Sequence, residues 1–473
     1  MGIVGGFMVP HPPMIVPAVG QGSEAVVKET TMAYEKVAEM VAELKPDTIV
    51  ISSPHTVLYA DYFHISPGAS ASGSFAGFRA PEVSFSVDYD EEFVQKLSAF
   101  AAYEEIDAGI LGEKDASLDH GTMVPLYFIT KKYTDCRIVR LGLSGFSLET
   151  HYRMGMLVKR VAEELGRRVV YIASGDLSHK LKEEGPYGFD EAGPVYDERI
   201  MDVMGSGSFD QLFEFDEHFL EKAAECGHRS FVMLAGALDR TGVSIERLSH
   251  QDVTGVGYGI CTYLVTGSDE SRAFLDKWER TEDERRLKQK NAEDAYVRLA
   301  RASLESYIKE RKKIRMEDVC GTLFTPDEKE ETEQLRNRRA GVFVSLHKQG
   351  QLRGCIGTIM ATKDSIADEI IENAISASTR DPRFSPVTEE ELKYLEYSVD
   401  VLGETEEIET EEELDVKRYG VIVTKGMKRG LLLPNLDGVD TVEEQLSIAK
   451  RKAGLLSNEK GCKLERFEVI RHY

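Results

Sequence analysis

Apolar and polar positions divide this 473-residue chain into two stretches of different rhythm. Up to about residue 268, nearly continuous apolar runs alternate with amphipathic ones. GIVGGFMV (2–9), DTIVISS (47–53), CRIVRLGLS (136–144), RVVYIAS (168–174) and GICTYLVTG (259–267) are β-rich and apolar almost throughout. That is the pattern of strands covered on both faces. Between them, residues 24–44 place Val27, Tyr34, Val37, Ala38, Val41 and Leu44 on one side. Residues 90–103, 149–166 and 227–240 also read as helices. Strands alternating with helices predict an α/β domain over residues 1–268, a central mixed sheet flanked by helices.

Residues 269–290 (DESRAFLDKWERTEDERRLKQK) are densely charged and read as a linker in the form of a solvated helix. The only tryptophan, Trp278, lies in it and has either neighbour to dock on. From 291 to 473 the pattern predicts an α+β domain. It opens with a helix, AEDAYVRLARASLESYI, followed by a polar loop over 325–339. GVFVSLHKQGQLRGCIGTI is a hairpin signal about KQGQ. A helix over 363–378 comes next, then RDPRFSPVTEEEL as a loop leading into a helix start. YSVDVLGETEEIE begins as a strand, YGVIVTKGMKRGLLLP is a second hairpin, and EEQLSIAKRKAGL closes as a helix. The acidic run 404–415 is expected to be a solvated face.

Composition narrows the functional classes. A formal net charge of −24 excludes a non-specific nucleic-acid binder, which needs a basic footprint, and disfavours an anionic membrane surface. No apolar run approaches the roughly 20 residues of a membrane helix, and the N-terminus lacks the basic region of a secretory signal. A cytoplasmic protein is expected. Cys136, Cys226, Cys261, Cys320, Cys355 and Cys462 are scattered and form no CxxC pair, so neither a disulfide framework nor a zinc ribbon is expected.

The candidate chemistry lies in the histidines. His11 in VPHPP, His55 in SSPHT and His179 in SGDLSH each follow an apolar strand, and His120 lies in the Gly/Pro-punctuated LDHGTMVPL. Open α/β sheets bind ligands beyond the carboxyl ends of their strands, so parallel strands would bring these imidazoles to one rim. Two imidazoles and a carboxylate hold Fe(II) with open positions. A late ECGHRS segment offers Glu225, Cys226 and His228 ahead of an apolar helix. Glu225 there would also complement a helix dipole.

HPP, SPH, LDHGTMVPL, SGDLSH and ECGHRS…GAL, in that order, resemble the class III extradiol dioxygenase (LigB-like) superfamily. The resemblance implies a non-haem Fe(II) site of His11, His55 and Glu225. His179 corresponds to the family's acid–base histidine and His120 to its second active-site histidine. It further implies a catecholic or phenolic small molecule and O2 as substrates. The domain also resembles Memo proteins, in which a cysteine stands near the glutamate's place. Cys226 would then be the third ligand, and a thiolate favours Cu or Zn.

In the C-terminal part, LRGCIG places Arg353 and Cys355 between turn-permitting glycines. They form either a tight bend with a buried cysteine, or a pocket in which Arg353 binds an anion and Cys355 is a reactive thiol. LRGCIG, GVFVSL, RDPRFSPVT and GLLLP are similar to the AMMECR-type domain, whose biochemistry is poorly defined. Arg380, Asp381, Arg383 and Phe384 are expected on the face of LRGCIG, with Asp381 equally able to pair with an arginine. The combination resembles AmmeMemoRadiSam system proteins and implies a radical-SAM partner. The leading expectation is an extradiol-type oxidoreductase. The alternatives are an Fe- or Cu-binding scaffold without ring cleavage and a Zn-dependent hydrolase. A homo-oligomer is compatible with the sequence.

Overall fold

A computed structural model describes residues 2–112, 117–348, 350–436 and 438–473. The chain forms two compact units, residues 1–281 and 282–473.

The first unit is built on a six-stranded mixed sheet in the order Arg137–Gly142, Thr48–Ser53, Val169–Ser174, Ile3–Val9, Tyr258–Ser268 and Thr241–Gln251. The first four strands are mutually parallel; the last two add antiparallel. Side chains alternate between two cores. Phe7, Val9, Ile49, Ile51, Val170 and Ile172 pack with helix Lys28–Leu44 and residues 123–129. Met8, Val50, Val139, Tyr171 and Ala173 pack with helices Leu148–Glu164, Ala192–Ser206 and His228–Ala237. This double burial is why the strands read as continuous apolar runs.

Helices Leu148–Glu164 and His228–Ala237 meet backbone to backbone. A Cβ on Gly155 would lie 2.0 Å from the Met233 carbonyl oxygen, and one on Gly236 2.0 Å from that of Tyr152.

Three elements here depart from the sequence reading. LDHGTMVPL, expected as a loop, is helix His120–Ile129 with Pro125 inside it, capped by Asp119. Thr241–Gln251 is an edge strand in which Glu246 and Arg247 are exposed, which interrupts its apolar pattern. Residues 70–75 and 80–88 form a separate hairpin. The charged segment is helix Phe274–Ala292, with Phe274 and Leu275 buried and Trp278 stacked on Phe213. Among the described residues no helix is long and apolar enough to cross a membrane.

The second unit is α+β. Its sheet runs Gln351–Gly357, Val342–Lys348, Leu395–Leu402, Lys463–His472, Tyr419–Lys425, Lys428–Leu432, with Glu406–Ile408 also pairing with Lys463–His472. Both hairpins read from the sequence form; of the KQGQ turn, Gln349 lies outside the described residues. The sequence reading omitted the strand Lys463–His472, and the expected polar loop contains helix Lys329–Asn337. The helix start expected at TEEEL is one 3-10 turn, Leu392–Tyr394.

Candidate metal centre

The parallel strands Ile3–Val9, Thr48–Ser53 and Val169–Ser174 end side by side. Their carboxyl ends project His11, His55 and the Ser174–His179 loop onto one rim. Donor atoms of His11, His55 and Cys226 all lie within 4.8 Å of one another. Ligands about 2.0–2.3 Å from one ion lie within roughly 4.6 Å of each other, and His11 Nε2, 3.0 Å from His55 Nε2 and 3.6 Å from Cys226 Sγ, is inside that reach of both.

His11 is the most fixed of the three. It is 1% exposed; its main-chain N–H donates to Asp176 Oδ1 at 2.7 Å. Tyr34, stacked on Phe128, donates its hydroxyl to the Pro10 carbonyl. His11 Nδ1 is 3.0 Å from the Ser174 hydroxyl, which itself donates to the Gly121 carbonyl at 2.6 Å. With its proton committed there, Ser174 accepts from His11 Nδ1–H. The lone pair of His11 therefore sits on Nε2.

That Gly121 carbonyl is available because Pro125, four residues on, has no N–H to donate to it. The proline that reads as loop punctuation thus takes part in setting a histidine tautomer. Ser174→Ala is expected to keep the fold and weaken metal binding about 10- to 100-fold, measured by chelator competition; unchanged affinity would refute the tautomer argument.

His11 Nε2 faces His55 Nε2 at 3.0 Å and Cys226 Sγ at 3.6 Å. Burial, reinforced by His55, pushes the His11 imidazole down to about 3, and burial also lowers His55. Both rings are neutral donors at ordinary pH. The Cys226 thiol is pushed well up by desolvation, then by Asp176 and Glu225; a bound cation is what would deprotonate it.

Glu225, expected as the carboxylate ligand, is not part of this cluster. Its Oε2 accepts the His228 N–H at 2.6 Å, in the first turn of helix His228–Ala237. Desolvation raises its carboxyl to about 7. Ala224, at φ 51°, turns the chain between two helices, and Cys226 rather than Glu225 meets His11. A further contact needs glycine: a Cβ on Gly175 would lie 2.1 Å from Gly227 Cα, so the two loops touch main chain to main chain.

His120 and His179 flank the cluster. His120 lies 4.0 Å from the His55 ring and 5.4 Å from those of His11 and Phe78; burial, then His55 and His11, push it down to about 3. His179 stacks on Tyr187 at 4.9 Å, lowered by desolvation and held up by Asp176.

Two groups were not singled out from the sequence. Asp176, inside the quoted SGDLSH, has Oδ2 3.9 Å from His11 Nε2, donates its main-chain N–H to Cys226 Sγ at 3.3 Å, and is raised by burial to about 6. Asp119, inside LDHG, accepts from Ser53 Oγ at 2.7 Å and from Thr122 N–H at 3.0 Å, tying the His55 loop to the His120 helix. A cavity of about 280 Å³ beside His55 is lined by Thr56, Val57, Ser117, Leu118, Asp119 and Arg140.

In the second unit, the Arg353 guanidinium is engaged with Glu391 at 2.9 and 3.0 Å, not open to an external anion. The Cys355 N–H donates to Asp381, and Ser345 donates to its sulfur at 3.3 Å; desolvation raises this thiol rather than activating it. Asp381 pairs with Arg383, and Phe384 lies beside Arg353 and Arg383. Arg380 instead pairs with Glu372. Arg353 holds the Glu391 carboxyl down to about 2 from 4.5. A depressed folded value means this pair stabilises fully above pH 4.5 and loses that contribution as pH falls toward 2. Arg353→Gln is expected to flatten the acid limb of melting temperature against pH over that window; an unchanged limb would count against the pair.

Residues 5–261 match the family model for the catalytic LigB subunit of aromatic ring-opening dioxygenase. Residues 297–472 match that for AMMECR1. A Clostridium acetobutylicum protein is 43% identical over 479 residues, covering 100% of this chain and 99% of that protein. The 2-aminophenol 1,6-dioxygenase beta subunit of a Pseudomonas species is 26% identical over 289 residues, 54% of this chain and 92% of that one. The crystal structure of an uncharacterised Pyrococcus horikoshii protein aligns with TM-score 0.33 and 32% identity, over 37% of this chain and 88% of that one.

Proposed function

Because the chain belongs to the family of the catalytic LigB subunit of aromatic ring-opening dioxygenases, we propose that its first unit is a non-haem Fe(II)-dependent oxidoreductase of the extradiol type. The substrate is a catecholic or phenolic small molecule, with O2 as co-substrate. The observation carrying this reading is the convergence of a neutral His11–His55 pair and Cys226 with two further imidazoles at one strand-end rim. His11, His55 and Cys226 would hold the iron, with Asp176 beside them. Iron(II) with open positions supplies a Lewis acid and a route for electrons between ring and oxygen.

The chain's own groups do the rest. Asp119 and Ser174 hold His55 and His11 in place. His179, lowered by desolvation but supported by Asp176, accepts a phenolic proton and returns it, a two-way task suited to imidazole. The cavity beside His55 would take a monocyclic ring; His120 lies against the His55 and Phe78 rings.

Cys226 favours a second reading, a protein holding Cu or Zn without ring cleavage. One experiment separates the two: anaerobic purification with metal analysis, then oxygen uptake after adding Fe(II) and a panel of catechols. One iron per chain with catechol-dependent uptake and a yellow ring-opened product is expected. Copper or zinc with no uptake on any catechol would replace the first reading by the second.

A further inference from the structure

Behind the loop that carries His179 lies a polar network that the metal cluster does not use. Asp197, on helix Ala192–Ser206, is 3% exposed. Its Oδ1 accepts the Ser178 N–H at 2.8 Å, the amide immediately before His179. Its Oδ2 lies 3.3 Å from His250 Nε2, on the edge strand Thr241–Gln251. His250 Nδ1 in turn is 3.2 Å from an Arg247 guanidinium nitrogen. Arginine only donates, so Nδ1 accepts and the His250 proton sits on Nε2, facing Asp197.

The carboxylate also dictates a neighbour. A Cβ on Gly257 would lie 1.9 Å from Asp197 Oδ2, so this geometry requires glycine there. The same loop is held from two other sides. Leu177 N–H donates to the Gly257 carbonyl, and Gly257 N–H to that of Ser178, both at 2.8 Å. Ser178 Oγ and His179 N–H both donate to the Ala223 carbonyl, at 2.7 and 3.2 Å.

Placing a carboxylate in such a site costs free energy unless its partners are specific. Here one partner is a loop amide and the other an oriented imidazole. We infer that Asp197 and His250 are positioning residues that fix the loop bearing His179, and hence the placement of its imidazole beside the cluster. The inference rests on the proposed proton-transfer role of His179 for its function, but its geometry is testable without turnover.

The test uses the full chain as wild type, Asp197→Ala, Asp197→Asn and His250→Ala. Circular dichroism checks folding, and the His179 ring resonance, assigned by its loss in His179→Gln, is followed by selectively labelled NMR. Asparagine keeps the acceptor for the Ser178 amide but turns its NH2 toward the His250 Nε2–H, donor against donor, so Asp197→Asn should displace the resonance only as far as His250→Ala, which removes the same bond. Asp197→Ala should displace it, and His250→Ala should displace it less, in the same direction.

On iron-loaded protein, 4-nitrocatechol should bind Asp197→Ala about tenfold more weakly than wild type and Asp197→Asn with a smaller loss, with metal content unchanged throughout. A wild-type His179 resonance in Asp197→Ala, or an equal shift in Asp197→Asn, overturns the inference. If Asp197→Ala does not fold, an unmoved resonance in His250→Ala does the same. Should wild type bind no catechol, the dioxygenase reading fails while the resonance shifts still decide the positioning role.

Discussion

His11→Ala is expected to strip the first unit of its metal while leaving the fold in place. The His11 side chain supplies Nε2 to the cluster, but its main-chain N–H makes the bond to Asp176, and alanine keeps that amide. Cys226→Ala should act alike, since its sulfur lies 3.6 Å from the same nitrogen. Removing an outer partner of a metal ligand weakens affinity roughly 10- to 100-fold; removing a donor should exceed about 100-fold. Glu225→Gln should retain full metal, because its carboxyl caps a helix instead of meeting the cluster. Metal analysis after anaerobic dialysis checks all three variants. Stoichiometric metal in His11→Ala, or its loss only in Glu225→Gln, would refute the assignment of donors.

The largest effect on stability is expected at Gly155. Its missing Cβ lets helix Leu148–Glu164 lie against Met233, and Gly236 does the same from the other side against Tyr152. A methyl placed 2.0 Å from a carbonyl oxygen has no rotamer to escape into, so the helices must part. Overpacking costs about 1–3 kcal/mol and occasionally more; with main chain as the obstacle, Gly155→Ala should cost about 3 kcal/mol or more. For a unit of this size that lowers the melting midpoint by roughly 6–12 °C. Because helix His228–Ala237 starts just beyond Cys226, metal affinity should fall with it. A midpoint within about 2 °C of wild type would show that the two helices accommodate the methyl.

Much of this was legible in the sequence because the parallel strands are covered on both faces. Burial on both sides removes the alternation from 3–9, 48–53 and 169–174 and leaves long apolar words. Strand ends then give a common address to His11, His55 and His179. The edge strand Thr241–Gln251 does not read as a strand because Glu246 and Arg247 break its middle, nor does Lys463–His472, because it carries charges through its length.

The order of Glu225 and Cys226 was beyond the sequence for a different reason. Consecutive residues in a turn point in different directions, and which one faces His11 depends on the left-handed Ala224 and on the contact between Gly175 and Gly227, which are distant in sequence. The sequence reads as a loop at His120 because Gly121 and Pro125 are breakers, whereas here the helix tolerates the proline and Ser174 uses the carbonyl it leaves free.

The donors of the cluster come from residues 11, 55 and 226, and only the folded unit brings them together. An unfolded chain offers a cation three distant side chains and no site. Metal binding to the native state alone raises stability by mass action, by about 2.7 kcal/mol when the free ion stands at 100 times its dissociation constant. That is a sizeable share of the 5–15 kcal/mol that separates most folded domains from unfolding. The lifetime of the first unit against proteolysis should therefore rise and fall with metal supply, so that scarcity of the ion thins the population of the protein as well as its occupancy.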